Sequence, residues 1–229
     1  MKKIFALSLF AIIAITLSAQ ETETESGSVT KLKKADRVVL DLFYDTWQGL
    51  PSGIEPGLLQ PGIGITSFQD YPIGNSNFAF AFGVGISVHN FYSNAFIAMD
   101  TNNVTQLLPL STDLEYKVNK LTLTYLETPI EFRYRTKGVY TFRFYAGFKL
   151  GYLLQEHTKY SGDDPFSDGQ IKYKEYKHKN FNNLRYGPTV RIGYRWFNLY
   201  ASYNMTTLFK EDKGPQMYPI SIGLMISPY

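Results

Sequence analysis

Ser87 and His89 stand two residues apart in a stretch that alternates bulky apolar residues with small or polar ones. In an extended strand both therefore project from the same face. A serine beside a histidine is the beginning of an acyl-transfer centre, provided that a carboxylate orients the imidazole. No acid lies close to His89 in the chain, so a histidine held in a polar network is the simpler reading. A lipid-modifying hydrolase with a catalytic His89 is the other. His157 and His178 sit among lysines and acids without the spacing of a metal site. The chain has no cysteine, hence neither a disulfide framework nor a thiolate site. No metal and no cofactor is expected.

A larger set of ionisable side chains falls into one phase of the same alternation. It comprises Asp41, Asp45, Glu127, Glu131, Arg133, Arg143, Lys149, Arg185, Arg191 and Arg195. The opposite phase is greasy: Phe142, Phe144, Phe148, Leu150 and Tyr152 in one stretch, Leu184, Tyr186, Val190, Ile192 and Tyr194 in another. Hairpin geometry pairs Arg133 with Arg143, Glu131 with Tyr145, Glu127 with Lys149, Arg195 with Tyr200 and Arg191 with Asn204. Charges crowded into a narrow interior have to pair, because an unpaired buried charge costs several kcal/mol. The set is either a cross-linked polar plug that fixes register or an ion path or proton relay.

The elements that must position these residues are strands of period two. Eight are expected: Arg37–Trp47, Gly62–Ile73, Phe78–Tyr92, Lys120–Arg135, Tyr140–His157, Leu184–Trp196, Leu199–Phe209 and Met217–Ser227. Tight turns at Gly74–Asn77, Lys137–Val139 and Phe197-Asn198 alternate with long loops at Trp47–Pro61, Ser93–Val118 and Ser161–Asn183. Short turns at one rim, long loops at the other and an even strand number from eight upward describe an outer-membrane barrel. The fold class is then all-β, an eight-stranded antiparallel up-and-down transmembrane β-barrel with its greasy phase facing lipid. Aromatic residues gather at both strand ends, with Tyr71, Phe78, Tyr134, Tyr140, Tyr194 and Trp196 by the short turns. Trp47, Tyr92, Tyr152, Phe209 and Tyr218 lie toward the long loops, as interfacial girdles require.

Residues 1–19 read as a signal peptide: Lys2 and Lys3, an apolar run from Ile4 to Leu17, then Ser18 and Ala19. Residues 20–36 lack apolar residues to bury and read as a disordered periplasmic tail, leaving 37–229 for the barrel. Of the 23 basic residues, two lie in the signal peptide, so the mature chain nearly balances its 20 acids and gives no reason to expect nucleic acid.

The stretch Leu121–Arg135, with Tyr125-Leu126-Glu127-Thr128-Pro129 at its centre, resembles the Tyr-Leu-Glu-x-Pro segment of small outer-membrane β-barrel proteins of Bacteroidota, a group that includes PorT-like proteins. Asp70-Tyr71-Pro72-Ile73 and Phe80-Ala81-Phe82-Gly83-Val84-Gly85 are similar as well, and the resemblance covers most of residues 37–229. It implies the outer membrane of a Gram-negative bacterium and an accessory role in an envelope machine for protein secretion or outer-membrane assembly; no enzymatic activity is expected. Within this segment Leu121, Leu123 and Tyr125 keep one phase, and Leu126, Ile130 and Phe132 the other. A β-bulge near Tyr125-Leu126 would turn both sets toward lipid and leave Glu127 and Glu131 inside.

The long loops carry two further signals. Leu50, Ile54, Leu58 and Leu59 in the first, with Phe96, Ile97, Leu107, Leu108 and Leu110 in the second, are greasy for water-facing segments. They either dock on partner proteins of the outer membrane or periplasm, or fold onto each other as a cap. In the third, Lys172–Lys179 alternates like a strand standing above the bilayer. Its lysines either meet lipopolysaccharide phosphates or form a plain solvated hairpin. A narrow pore for ions or small solutes is the alternative function.

Overall fold

The computed structural model describes residues 38–138, 141–165, 167–176, 178–195 and 197–226. The expected signal peptide and periplasmic tail lie outside the described residues, as do Arg37, Val139, Tyr140, Lys177, Trp196 and Ser227. Eleven strands follow in order: β1 (Val38–Gln48), β2 (Pro61–Pro72), β3 (Phe78–Tyr92), β4 (Ala95–Met99), β5 (Thr105–Pro109), β6 (Tyr116–Arg135), β7 (Phe142–Asp163), β8 (Gln170–Tyr176), β9 (Leu184–Tyr194), β10 (Phe197–Tyr203) and β11 (Tyr218–Ile226).

Eight of them close a wall in the order β6, β3, β2, β1, β11, β10, β9, β7, with β7 returning to pair with β6. Every neighbouring pair is antiparallel. A closed sheet has no edges to protect. The expected eight-stranded barrel is the fold. The alternation is visible residue by residue: β9 buries Arg185, Gly187, Thr189, Arg191 and Gly193 while Leu184, Tyr186, Val190, Ile192 and Tyr194 are exposed.

Three strands lie in the loops. The hairpin β4–β5 occupies the second long loop, where no strand was expected. In the third, β8 pairs with the upper end of β7, from His157↔Tyr176 to Asp163↔Gln170, as the alternation of Lys172–Lys179 implies.

The structure corrects the expected registers. Arg135 pairs with Arg143, Arg133 with Tyr145, Glu131 with Gly147 and Pro129 with Lys149, two residues from the expected match. The cause is a wider turn, fastened by Thr136 N–H to the Phe142 carbonyl at 3.0 Å and Phe142 N–H to Thr136 Oγ1 at 2.8 Å. Tyr200 pairs with Arg191, because Phe197 already belongs to β10 and pairs with Tyr194. Phe197-Asn198 is therefore strand. Arg195 is in the turn, with φ +58°, the left-handed backbone that a tight hairpin demands. Both slips are even-numbered, so every side chain keeps its face.

The bulge lies across the strand pair from where it was expected. Thr124 pairs with Gln155 but Tyr125 with Leu153, so the extra residue is Leu154 on β7. From Leu121 to Arg133 β6 itself does not slip, its own extra residue being Lys117, between the pairs Tyr116↔Gly162 and Val118↔Ser161: Leu121, Leu123, Tyr125, Glu127, Glu131 and Arg133 all point inward and are buried. Leu121, Leu123 and Tyr125 were expected on the lipid face. They line the lumen instead, because its long-loop half is apolar.

That half is closed by a hydrophobic stopper. Trp47, Phe91, Leu121, Leu123, Tyr125 and Leu153 from the wall meet Ile54, Ala95, Leu107, Phe181, Leu208, Phe209 and Met217 from the loops. Trp47 and Phe209 are thus buried in the stopper, whereas girdle rings belong at the lipid interface. The expected seventh strand ends at Tyr203 for the same reason. Beyond it the chain turns in to deliver Leu208 and Phe209 and is held by Asn182, whose amide donates to the carbonyls of Thr207 and Phe209, 2.8 Å each. Tyr71, Phe78, Tyr152 and Tyr194 are exposed on the outside at the two ends, as girdles require.

Candidate functional site in the lumen

Below the stopper lie the ionic groups of the lumen, in three linked layers, around a second apolar cluster of Val39, Phe43, Phe68, Ala81, Tyr145, Tyr200 and Met225. Nearest the short turns, Asp70 on β2 accepts from Arg133 Nη1 at 2.7 Å and from Arg135 Nη1 at 2.5 Å. Arg133 also grips Glu131 at 2.7 Å and lies with its guanidinium carbon 4.1 Å from the Phe68 ring centre. Arg135 Nε donates to the Tyr145 hydroxyl at 2.6 Å. In the middle layer Arg191 bridges Asp41 at 3.2 Å and Glu131 at 3.4 Å, and Arg143 is buried in the same wall.

The upper layer is centred on Glu127. It accepts from Lys149 at 3.0 Å and from Arg185 in a shorter contact, and Lys149 donates on to the Tyr200 hydroxyl at 2.9 Å. The Arg185 guanidinium carbon lies beneath the stopper, 3.6 Å from the Tyr125 ring centre. Gly151 makes its room: a Cβ there would sit 2.8 Å from Arg185 Cγ. Arg185 Nη2 also reaches Ser87 Oγ at 3.0 Å and His89 Nε2 at 2.7 Å. His89 Nδ1 lies 2.8 Å from Asp45 Oδ2, and Ser221 donates to the other Asp45 oxygen at 2.5 Å.

Asp45, His89 and Ser87 therefore form the order of contacts of a hydrolytic triad, with Ser87 Oγ 3.2 Å from His89 Nε2. The missing carboxylate comes from β1, 44 residues earlier and separated from β3 by β2. Two facts disarm the triad. A guanidinium only donates, so the Arg185 contact makes Nε2 the acceptor and leaves the proton on Nδ1, given to Asp45. The lone pair that would take a serine proton is thereby occupied. All three residues are also buried beneath the stopper, out of contact with solvent.

Nine of the ten residues expected in the lumen are there: Asp41, Asp45, Glu127, Glu131, Arg133, Arg143, Lys149, Arg185 and Arg191. Arg195 is not; it is exposed in the β9–β10 turn. Asp70 was missed, although it shares the phase of the inward Gly64, Thr66 and Phe68 on β2. The greasy loop residues divide. Ile54 and Leu107 are buried in the stopper, with Leu50 and Ile97 packed on it, and Phe96 and Leu110 are half-buried. Leu58, Leu59 and Leu108 stay exposed, at 91%, 69% and 44%.

An inside of paired charges and an outside of Phe, Leu, Ile and Tyr is the inverse of a water-soluble protein and fits a wall set in hydrocarbon. The comparisons with known proteins agree. No curated protein matches the chain, and no solved structure matches it. A family model described as outer membrane protein beta-barrel domain matches residues 55–211, more than half of the chain. The closed barrel and this match together make the chain a member of the outer membrane protein β-barrel family, integral to the outer membrane.

Proposed function

We propose that this barrel is a sealed, non-enzymatic membrane subunit that serves an envelope complex, in protein secretion or in outer-membrane assembly. The observation that carries the reading is the filled lumen. Salt-bridged side chains pack its lower part, and the apolar stopper, built from wall and loops together, closes the upper part. An eight-stranded barrel is only wide enough for its own side chains, and here they are locked to one another. Such a barrel neither conducts nor turns over substrate; it anchors. The PorT-like resemblance of the Tyr125–Pro129 segment supports the assignment to secretion or assembly. Leu58, Leu59 and Leu108, left outside the stopper, are the surface offered to a protein partner.

Purification of the full chain from native membranes in mild detergent tests this. Stoichiometric recovery with another envelope protein is expected, as is its loss in the Leu58→Asp, Leu59→Asp double variant. Isolation only as a lone barrel overturns the proposal. Planar-bilayer recordings should show no discrete conductance steps. The hydrolase reading is favoured by the Asp45–His89–Ser87 contacts and opposed by Arg185. It requires that lipid A change on overexpression and that Ser87→Ala abolish the change; unaltered lipid A dismisses it.

A further inference from the structure

The wall does not end at the apolar band. β6 and β7 continue past it toward the long loops, and β8 adds a third strand there. Register sets Lys120 of β6 beside Lys159 of β7, and Lys159 beside Lys174 of β8. Three cations thus stand in one row across adjacent strands, about 4.8 Å apart at the backbone. Lys120 has the phase of the outward Ile130 and Phe132, so the row belongs to the outer face. The next row toward the bilayer is Thr122, His157 and Tyr176.

Like charges directly opposite one another destabilise a sheet. Among the described residues, none of Lys120, Lys159 and Lys174 forms an ion pair with a carboxylate. The nearest acids along the strands, Glu156 and Glu175, pair with Leu123 and Thr158 and so take the opposite, inward phase. The contacts that are made suit a waiting cation. Lys120 Nζ donates to Asn90 Oδ1 at 2.8 Å and lies 5.1 Å from the Tyr92 ring centre; Lys174 Nζ lies 4.8 Å from that of Tyr176.

Depth identifies the anion. From Tyr134 at the short-turn girdle to Lys120 the strand climbs roughly 35 Å along the membrane normal, given about 3.3 Å per residue and a tilt of about 40°. The apolar band is about 25 Å tall, so the lysine row stands at the level of the lipid headgroups. Directly below it on the same outer face, Tyr152 and Leu154 are exposed where acyl chains run.

We infer that Lys120, Lys159 and Lys174, framed by Tyr92, His157 and Tyr176, bind the phosphorylated head group of an outer-leaflet glycolipid whose acyl chains lie along Tyr152 and Leu154. The phosphate accepts from the ammonium groups and removes their mutual repulsion. The aromatic rings pack on the sugar that carries it. This site stands whether or not the barrel belongs to a larger complex, because it uses only the outer face.

The test is a binding titration of the purified full-length protein in neutral detergent. The probes are bisphosphorylated lipid A, enzymatically dephosphorylated lipid A, phosphatidylglycerol and inorganic phosphate. Lipid A is expected to bind, the dephosphorylated form at least about tenfold more weakly, and phosphatidylglycerol and phosphate not to displace it. The Lys159→Gln, Lys174→Gln double variant should lose about thirtyfold in affinity, two surface cations at their usual worth, while Lys137→Gln at the opposite rim changes nothing. Heat-modifiable gel migration verifies that each variant is folded. Equal binding of phosphorylated and dephosphorylated lipid A overturns the site. So does undiminished affinity of the double variant, or displacement by phosphatidylglycerol, which would reduce the row to a generic anion attractor.

Discussion

Glu127 is the carboxylate on which the upper layer of the lumen turns. Lys149 and Arg185 both point at it, and Arg185 in turn holds Ser87 and His89. Glu127→Ala would leave two buried cations without that partner, a loss of about 3–5 kcal/mol. Glu127→Gln keeps an acceptor oxygen and should cost less. Urea unfolding of the barrel in lipid vesicles, followed by tryptophan fluorescence, gives both values; an alanine variant as stable as the parent would mean that the network contributes nothing. His157, above the apolar band, offers a pH test. Burial and then the neighbouring Lys174 and Lys120 push its pKa from the ordinary 6.5 to about 4. A histidine depressed on folding binds fewer protons folded than unfolded, so stability rises with pH between about 4 and 6.5 and falls as acid is added through that window. Its NMR titration midpoint should lie near pH 4 in detergent and move up when bisphosphorylated lipid A is added, since phosphate offsets the lysines. A midpoint near 6.5 without lipid would contradict the packing of the β7–β8 hairpin.

At the scale of the strand, the bulge at Leu154 is one residue too many in a β6–β7 ladder that is otherwise continuous from Val118 to Arg135. Leu153 faces in opposite Tyr125, and Gln155 is opposite the outward Thr124. Deleting Leu154 would therefore join two stretches already in phase, and the barrel should keep its fold and heat-modifiable migration. Deleting Phe148 should not be tolerated, because a one-residue slip exchanges the two faces and turns Lys149 toward lipid. If both deletions assemble equally well, register is not set by the lumen charges. The contrast also explains what could be read from the chain. Strand faces are local and period-two, so the outward Phe142, Phe144 and Phe148 and the inward Arg143 and Lys149 were legible in a few residues. Even-numbered slips leave every face unchanged and were invisible; Arg133 meets Tyr145 rather than Arg143 for a reason that lies in the turn. The stopper is illegible in the sequence because an apolar residue facing lipid and one facing a greasy lumen look alike, so periodicity alone turns Leu123 and Tyr125 to the wrong side. Asp45 and His89 meet across an intervening strand, a proximity that only closure of the sheet creates.

For the molecule as a whole, the decisive property is the inversion of inside and outside. The charged layers resist pulling apart because Asp41, Asp70, Glu127 and Glu131 hold Arg191, Arg133, Arg135, Lys149 and Arg185 within, and the wall resists leaving the bilayer because its outer face is apolar. Depth then sets the cost of disturbing that face. Phe148 pairs with Ile130 near the middle of the apolar band, whereas Tyr134 lies at the short-turn girdle beside Phe78, with ring centres 5.2 Å apart. An arginine on the lipid face of a barrel costs about 2–4 kcal/mol at the midplane and about 0–1 kcal/mol near the interfaces. Phe148→Arg should accordingly lower the unfolding free energy in vesicles by the larger amount and Tyr134→Arg by the smaller. In a water-soluble barrel an arginine at an exposed position would be close to neutral at both sites. Equal, small effects would thus show that the phenylalanine face meets water, and with it would go the membrane setting of the lumen, the stopper and the lipid phosphate site.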